Sequence, residues 1–295
     1  MLIIVFSNNK LILRMHKFLI NFTPTGMVPT KELTPHVPIS PEEIVKEVLE
    51  AKKFGVSIVH LHARDREGKP TWQKEVYKEI IDGIRAVDGY NSNSLIICVS
   101  TSGRNWPDFE RRSACLELTD KSKPDMASLT LSSLNFAKSA SINSPEMIIK
   151  LASKMKEKGI KAELEAFDPG MINFAKYLHK KNLIEPPFYF NLIFGNIFNS
   201  QIGLLDQATM LSHLPENSHW TFGGIGTNQL NMNLSAILND GGIRIGLEDN
   251  IYINDKRQEL ATNLQLLERI TSIAKIIEKE PYTPYEVRRL LNLEL

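Results

Sequence analysis

Short apolar runs recur along this chain and alternate with longer segments in which apolar residues return at helical spacing. The runs, such as Val56-Ser57-Ile58-Val59 bounded by Gly55 and a charged turn, read as buried strands. On this pattern strands are expected over residues 18–22, 56–62, 94–100, 125–130, 161–165, 188–193, 219–223 and 242–246. Helices are expected to open at Ser40 and to cover 73–87, 107–118, 144–158, 169–180, 204–214, 229–239 and 256–278. The first is the most explicit: Ser40 suits the N-cap, Pro41 the first helical position, and Glu43 completes a capping box. Ile44, Val45, Val48, Leu49 and Phe54 give it an apolar face.

Strands that alternate with helices pair in parallel through right-handed crossovers. Eight such units without a Pro/Gly-rich linker fit one α/β domain, a closed (β/α)8 TIM barrel, which needs about 250 residues. An open doubly wound sheet is the second reading, weakened because no GxGxxG fingerprint follows the first strand. Residues 15–295 are read as the barrel. Residues 1–14 are read as a dispensable extension, because Met15 immediately precedes the first strand.

The composition narrows the partners. A net charge of +1 with scattered Lys and Arg gives no basic face for nucleic acid. The apolar opening, Met1-Leu2-Ile3-Ile4-Val5-Phe6, is far shorter than the ~20 residues of a membrane span and lacks the features of a signal peptide. The two cysteines, Cys98 and Cys115, form no CxxC pair and fit a reducing cytoplasm.

Candidate chemistry lies at the strand ends, where barrel enzymes gather their catalytic groups. His60 and His62 close the second strand; alternate strand residues share a face about 6.5–7 Å apart, so two imidazoles there can hold one metal ion. Alone, this HxH pair is equally two polar residues satisfied by hydrogen bonds. Other strand ends carry Ser100-Thr101-Ser102-Gly103, Ser128, Glu163 with Glu165, and Arg244 through Asn250. Strands two and eight flank strand one, about 10 Å apart at ~4.8 Å per neighbour. Glu248 can therefore complete a His₂Glu set with an open fourth position, as in catalytic zinc sites. Taken singly, these residues are more often solvated ion pairs or hydroxyls bonded to backbone than catalytic groups. Their coincidence at one barrel mouth gives the set its weight.

Four segments, in this order, resemble the β-keto acid cleavage enzymes. They are Thr25-Gly26 with Pro38-Ile39-Ser40-Pro41-Glu42-Glu43, then Val59-His60-Leu61-His62-Ala63-Arg64-Asp65, then Pro124-Asp125-Met126-Ala127-Ser128-Leu129, and Ile243-Arg244-Ile245-Gly246-Leu247-Glu248-Asp249-Asn250. That family, best known for acting on 3-keto-5-aminohexanoate, comprises zinc-dependent (β/α)8 barrels, usually tetrameric. Its members exchange acyl groups between a β-keto acid and acetyl-CoA, giving acetoacetate and a new acyl-CoA. The resemblance implies one Zn²⁺ per chain on His60, His62 and Glu248, with acetyl-CoA as co-substrate, and a homotetramer. It places Thr25, Gly26, Ser100, Ser128 and Glu165 at the substrate and makes Arg244 with Asp249 the pair that takes the proton. Arginine keeps its proton in proteins, so Asp249 is the expected acceptor.

The chain also departs from that family. Members acting on the amino substrate carry an acidic residue two places beyond the Thr-Gly, where this chain has Val28, preceded by Met27. An apolar residue cannot pair an ammonium, so a neutral or apolar substrate side group is expected. Gly195-Asn196-Ile197-Phe198-Asn199 lacks a glycine pair common in the family, and Thr227 replaces a frequently basic residue after Gly224-Ile225-Gly226. Two other functions compete: a non-catalytic keto-acid or acyl-CoA binder, and a zinc-dependent barrel hydrolase. The hydrolases carry their HxH on the first strand and add further His and Asp ligands, which the remaining histidines here do not supply.

Overall fold

A computed structural model describes residues 16–294, together with the backbone of two short strands, Ile4–Ser7 and Lys10–Leu13, which pair antiparallel with each other. The expectation that residues 1–14 are dispensable falls on side chains outside the described residues.

Eight parallel strands close into a barrel in chain order. They are β1 (Ile20–Phe22), β2 (Ile58–Leu61), β3 (Ile96–Val99), β4 (Met126–Thr130), β5 (Lys161–Ala166), β6 (Phe188–Phe194), β7 (Ser218–Gly224) and β8 (Gly242–Ile245). Helices α1 (Pro41–Ala51), α2 (Lys74–Asp88), α3 (Phe109–Ser113), α4 (Pro145–Lys158), α5 (Pro169–Lys180), α6 (Leu204–Ser212), α7 (Asn228–Leu238) and α8 (Asn263–Ile276) follow the strands in turn. The TIM barrel expected from the alternation is thus the observed fold.

The period of two within each strand decides where its side chains go. Val59, Leu61, Ile97, Val99, Ala127, Leu129, Phe190 and Leu192 face outward and join the large core under the helices. Ile58, Ile96, Cys98, Met126 and Tyr189 face inward and pack with Val287 and Leu291 of a ninth helix, α9 (Pro284–Leu291). Because Ile58, Ile96 and Met126 open their strands, α9 plugs the N-terminal end of the barrel. Above this apolar floor the interior turns polar: Asn21, His60, Ser128, Glu163, Asn191 and Arg244 are all buried there. That change of polarity, from floor to mouth, marks the working end.

The capping box of α1 forms as its sequence indicates. Other boundaries move for local reasons. The first expected strand splits: Lys17–Phe18 pairs with Glu280–Pro281 outside the barrel, and only Ile20–Phe22 enters it. The helix expected over 107–118 is α3 followed by a 3₁₀ turn, Ala114–Glu117. The last long helix begins at Asn263 rather than 256. Before it, Arg257 sits in the left-handed region and Tyr252 bridges Leu260, and the capping box of Thr262 with Gln265 then starts the helix. A small hairpin after β4, Leu134–Asn135 with Ala140–Ser141, was also outside the sequence expectations.

Candidate metal centre and active site

His60 and His62 project from the end of β2 with their Nε2 atoms 3.2 Å apart. His62 Nε2 lies 3.2 Å from Glu248 Oε1, and one donor atom from each of the three residues falls within 4.8 Å of the others. Two ligand atoms at 2.0–2.1 Å from a tetrahedral ion stand about 3.3–3.4 Å apart, so these spacings suit the edges of one coordination polyhedron. The second Glu248 oxygen, Oε2, is buried without a hydrogen-bond partner. An orphaned buried carboxylate oxygen beside two facing imidazole nitrogens fits a divalent cation.

Glu163, reaching inward from β5, fixes the tautomer. Its Oε2 lies 2.6 Å from His60 Nδ1 and its Oε1 accepts from Asn21 Nδ2 at 2.6 Å. The Nδ1–H of His60 is thereby given to Glu163 and Nε2 is left to face the site, the carboxylate–histidine arrangement common behind metal ligands. Burial alone would lower the His60 pKa, but the Glu163 and Glu248 carboxylates outweigh it and raise it to about 9. Burial likewise pushes Glu163 up, and His60, Arg244 and Asn21 more than reverse this, to about 2. Glu163→Gln is expected to lower metal affinity about 10–100-fold with the fold intact. Metal titration of the variant checks this; unchanged affinity would show that Glu163 does not orient His60.

Two glycines and one arginine deliver Glu248. Gly246, directly after β8, has φ +154°, and a Cβ there would lie 2.1 Å from the Thr23 carbonyl oxygen. Gly26, at φ +65°, leaves room for the Glu248 side chain itself, whose Cγ would be 2.5 Å from a Cβ there. Arg64, also buried, holds this loop by donating from Nη2 to the carbonyls of Gly26 (2.6 Å) and Pro29 (2.9 Å). The HLHARD segment thus supplies two candidate ligands and the clamp on the loop that packs against the third.

Arg244 on β8 is the electrostatic hub. It donates from Nε to Asp249 Oδ2 (2.9 Å), from Nη2 to Glu248 Oε1 (2.8 Å) and from Nη1 to Glu165 Oε1 (3.4 Å). The guanidinium is held charged, its pKa raised further by those three carboxylates against its burial. Burial pushes the Asp249 carboxyl above the ordinary carboxylate range despite Arg244. Glu165, which accepts from Thr130 Oγ1 at 2.7 Å, is raised for the same reason. Glu248 goes the other way: His62 and Arg244 outweigh burial and hold it well below that range.

These groups open into a cavity of about 410 Å³ whose lining includes Val28, His62, Ser100, Glu165, Glu248 and Asp249. Three expected substrate residues take other places, and one of them, Gly26, packs against Glu248 and does not line the cavity. Ser128 is buried, its Oγ accepting from the Thr101 N–H at 3.2 Å, and Thr25 donates from Oγ1 to the Pro38 carbonyl at 3.0 Å. Both shape the loops around the cavity without lining it. Sequence reasoning gave Glu163 no role of its own, although it shares a strand face with Glu165, and it passed over Arg104 on the cavity wall.

A parallel eightfold barrel with two histidines, three carboxylates and an arginine at its C-terminal mouth is an enzyme of the (β/α)8 class. The family model of the beta-keto acid cleavage enzyme matches residues 17–293, and the chain belongs to that family. It is 36% identical to a 3-keto-5-aminohexanoate cleavage enzyme of Fusobacterium nucleatum, over 95% of this chain and 99% of the relative. It is 32% identical to a 3-dehydrocarnitine:acetyl-CoA trimethylamine transferase of Rhizobium meliloti, over 91% and 94%. The apo structure of ObcA superposes with a TM-score of 0.73 at 19% identity, covering 88% of this chain and 66% of that one, a likeness of fold.

Proposed function

We propose that this protein exchanges acyl groups between a β-keto acid and acetyl-CoA, giving acetoacetate and a new acyl-CoA, with Zn²⁺ on His60, His62 and Glu248. The observation that carries this reading is the Arg244–Asp249 pair beside the His₂Glu cluster in one cavity. When bound there, the ion supplies Lewis-acid polarisation of the keto acid's oxygens. Asp249 removes a proton from the carbon between carboxylate and ketone. Its raised pKa suits a base, and Arg244 holds it in place without giving up its own proton. The carbanion attacks the thioester carbonyl of acetyl-CoA and CoA leaves as thiolate. The thiolate then adds to the original ketone, the carbon–carbon bond breaks, and Asp249 returns its proton to the departing acetoacetate carbon. Ser100 and Glu165 hold the keto acid from the cavity wall.

The side group of the keto acid is not cationic. Val28, Met27, Ile197, Ile225 and Phe136 line the cavity and offer no carboxylate to an ammonium. Acetoacetate release from acetyl-CoA and a panel of β-keto acids tests both points. Turnover of neutral 3-oxohexanoate well above 3-keto-5-aminohexanoate is expected; a preference for the amino acid would overturn the Val28 argument. The buried free thiols Cys98 and Cys115 support a cytoplasmic setting. A homotetramer, taken from the family resemblance, is tested by light scattering in solution.

A further inference from the structure

Among the described residues five arginines are buried, and all engage partners. Arg85, Arg244 and Arg288 meet carboxylates, while Arg64 and Arg112 donate to carbonyls. Arg104 differs. It lines the active-site cavity half-buried, with its guanidinium stacked 3.9 Å from the Phe136 ring centroid, and no ion pair joins it to any described residue. Its own loop packs closely: a Cβ on Gly103 would lie 2.5 Å from the Ile142 carbonyl oxygen. Arg112 ties that loop to the segment after the β4 hairpin through Thr101 O (2.9 Å) and Asn143 Oδ1 (2.6 Å). Lys138, in the turn of the same hairpin, also lines the cavity and is exposed without an ion pair among the described residues.

The charges of the cavity differ in how they are paired: Arg104 stands near enough to Glu248, Glu165 and Asp249 to feel their charge, yet forms no ion pair with them. Its carboxylates, Glu165, Glu248 and Asp249, are gathered around Arg244, and its two uncommitted cations stand on the loop after β3 and on the hairpin. Phe136, Ile197 and Val28 supply apolar wall. A guanidinium held over an aromatic ring without an ion pair is poised for a carboxylate or phosphate.

We propose that Arg104, assisted by Lys138, is an anion subsite that takes a carboxylate at the far end of the β-keto acid, making dianionic keto acids the preferred substrates. This rests on the reading of the cavity as a β-keto acid site and goes beyond the neutral or apolar side group expected from Val28 alone. A CoA phosphate presents the same chemistry to the same fork, so the experiment separates the two.

Selectivity for 3-oxoadipate over the equally long neutral 3-oxohexanoate is measured as kcat/KM in the parent and in Arg104→Met, which keeps the stem on Phe136 and removes the charge. A fall of about 10–100-fold in that ratio is expected, with part of it restored in Arg104→Lys. If instead KM rises for acetyl-CoA and not for acetyl-pantetheine, the subsite stands with a CoA phosphate as occupant. A ratio unchanged with both acyl donors overturns the proposal. Calorimetry with glutarate and butyrate, which undergo no turnover, keeps the two readings apart. Glutarate binding that depends on Arg104 in a protein turning over no keto acid would leave the subsite and remove the reaction. Turnover with Arg104-independent selectivity would do the reverse.

Discussion

Asp249→Asn protein is expected to fold and bind metal as the parent does while its kcat falls about 10²–10⁴-fold, the usual worth of a positioned general base. The amide still offers Arg244 an acceptor oxygen in place of the bond at 2.9 Å, and the main chain there is held independently by Gly226 N–H to Asp249 O at 2.7 Å. What disappears is the carboxylate charge beside Arg244 and, with it, the capacity to accept a proton. Single-turnover exchange of the keto acid's central C–H with deuterium isolates that step, and its loss in the variant is the expected signature. A kcat within a few-fold of the parent would move the base elsewhere, with Glu165, the other cavity-lining carboxyl of raised pKa, the next group to test.

His62→Ala is the second change of large effect. It removes one of two imidazole donors and leaves Glu248 with Arg244 as its near partner at 2.8 Å. Metal content is expected to fall to background. Turnover is expected to fall about 10³-fold or more, since the polarisation lost is worth several kcal/mol. Far-ultraviolet circular dichroism should stay unchanged, because His62 lies at the mouth, away from both apolar cores. Full metal occupancy in this variant would contradict the assignment of ligands.

The fold was legible because a barrel repeats one unit, so errors of a few residues at each boundary do not change the count. The HxH pair was legible for the related reason that strand parity alone sets both side chains on one face. Glu248 needed one further step, the closure that puts β8 beside β1. What stayed hidden depends on register across several strands. The contact of Glu163 with His60 spans the barrel interior, and no local pattern distinguishes it from the solvated strand end that Glu163 and Glu165 also resembled. Ser128 lies in the middle of β4 and not at the strand end expected for it, and its Oγ meets the Thr101 N–H, a pairing fixed by how the loop after β3 folds back. Two helix starts, by contrast, were written in the chain and missed. The T-x-x-Q box at Thr262 and the T-P-x-E box at Thr283 both cap helices, α8 and α9.

The most direct test of the account is a zinc titration of chelator-stripped protein, with acetoacetate from acetyl-CoA and 3-oxohexanoate as the readout. The account predicts no turnover in the stripped protein and recovery that rises linearly and saturates at about one zinc per chain. Turnover that persists without metal, or metal bound at that stoichiometry with no acetoacetate formed, would contradict it.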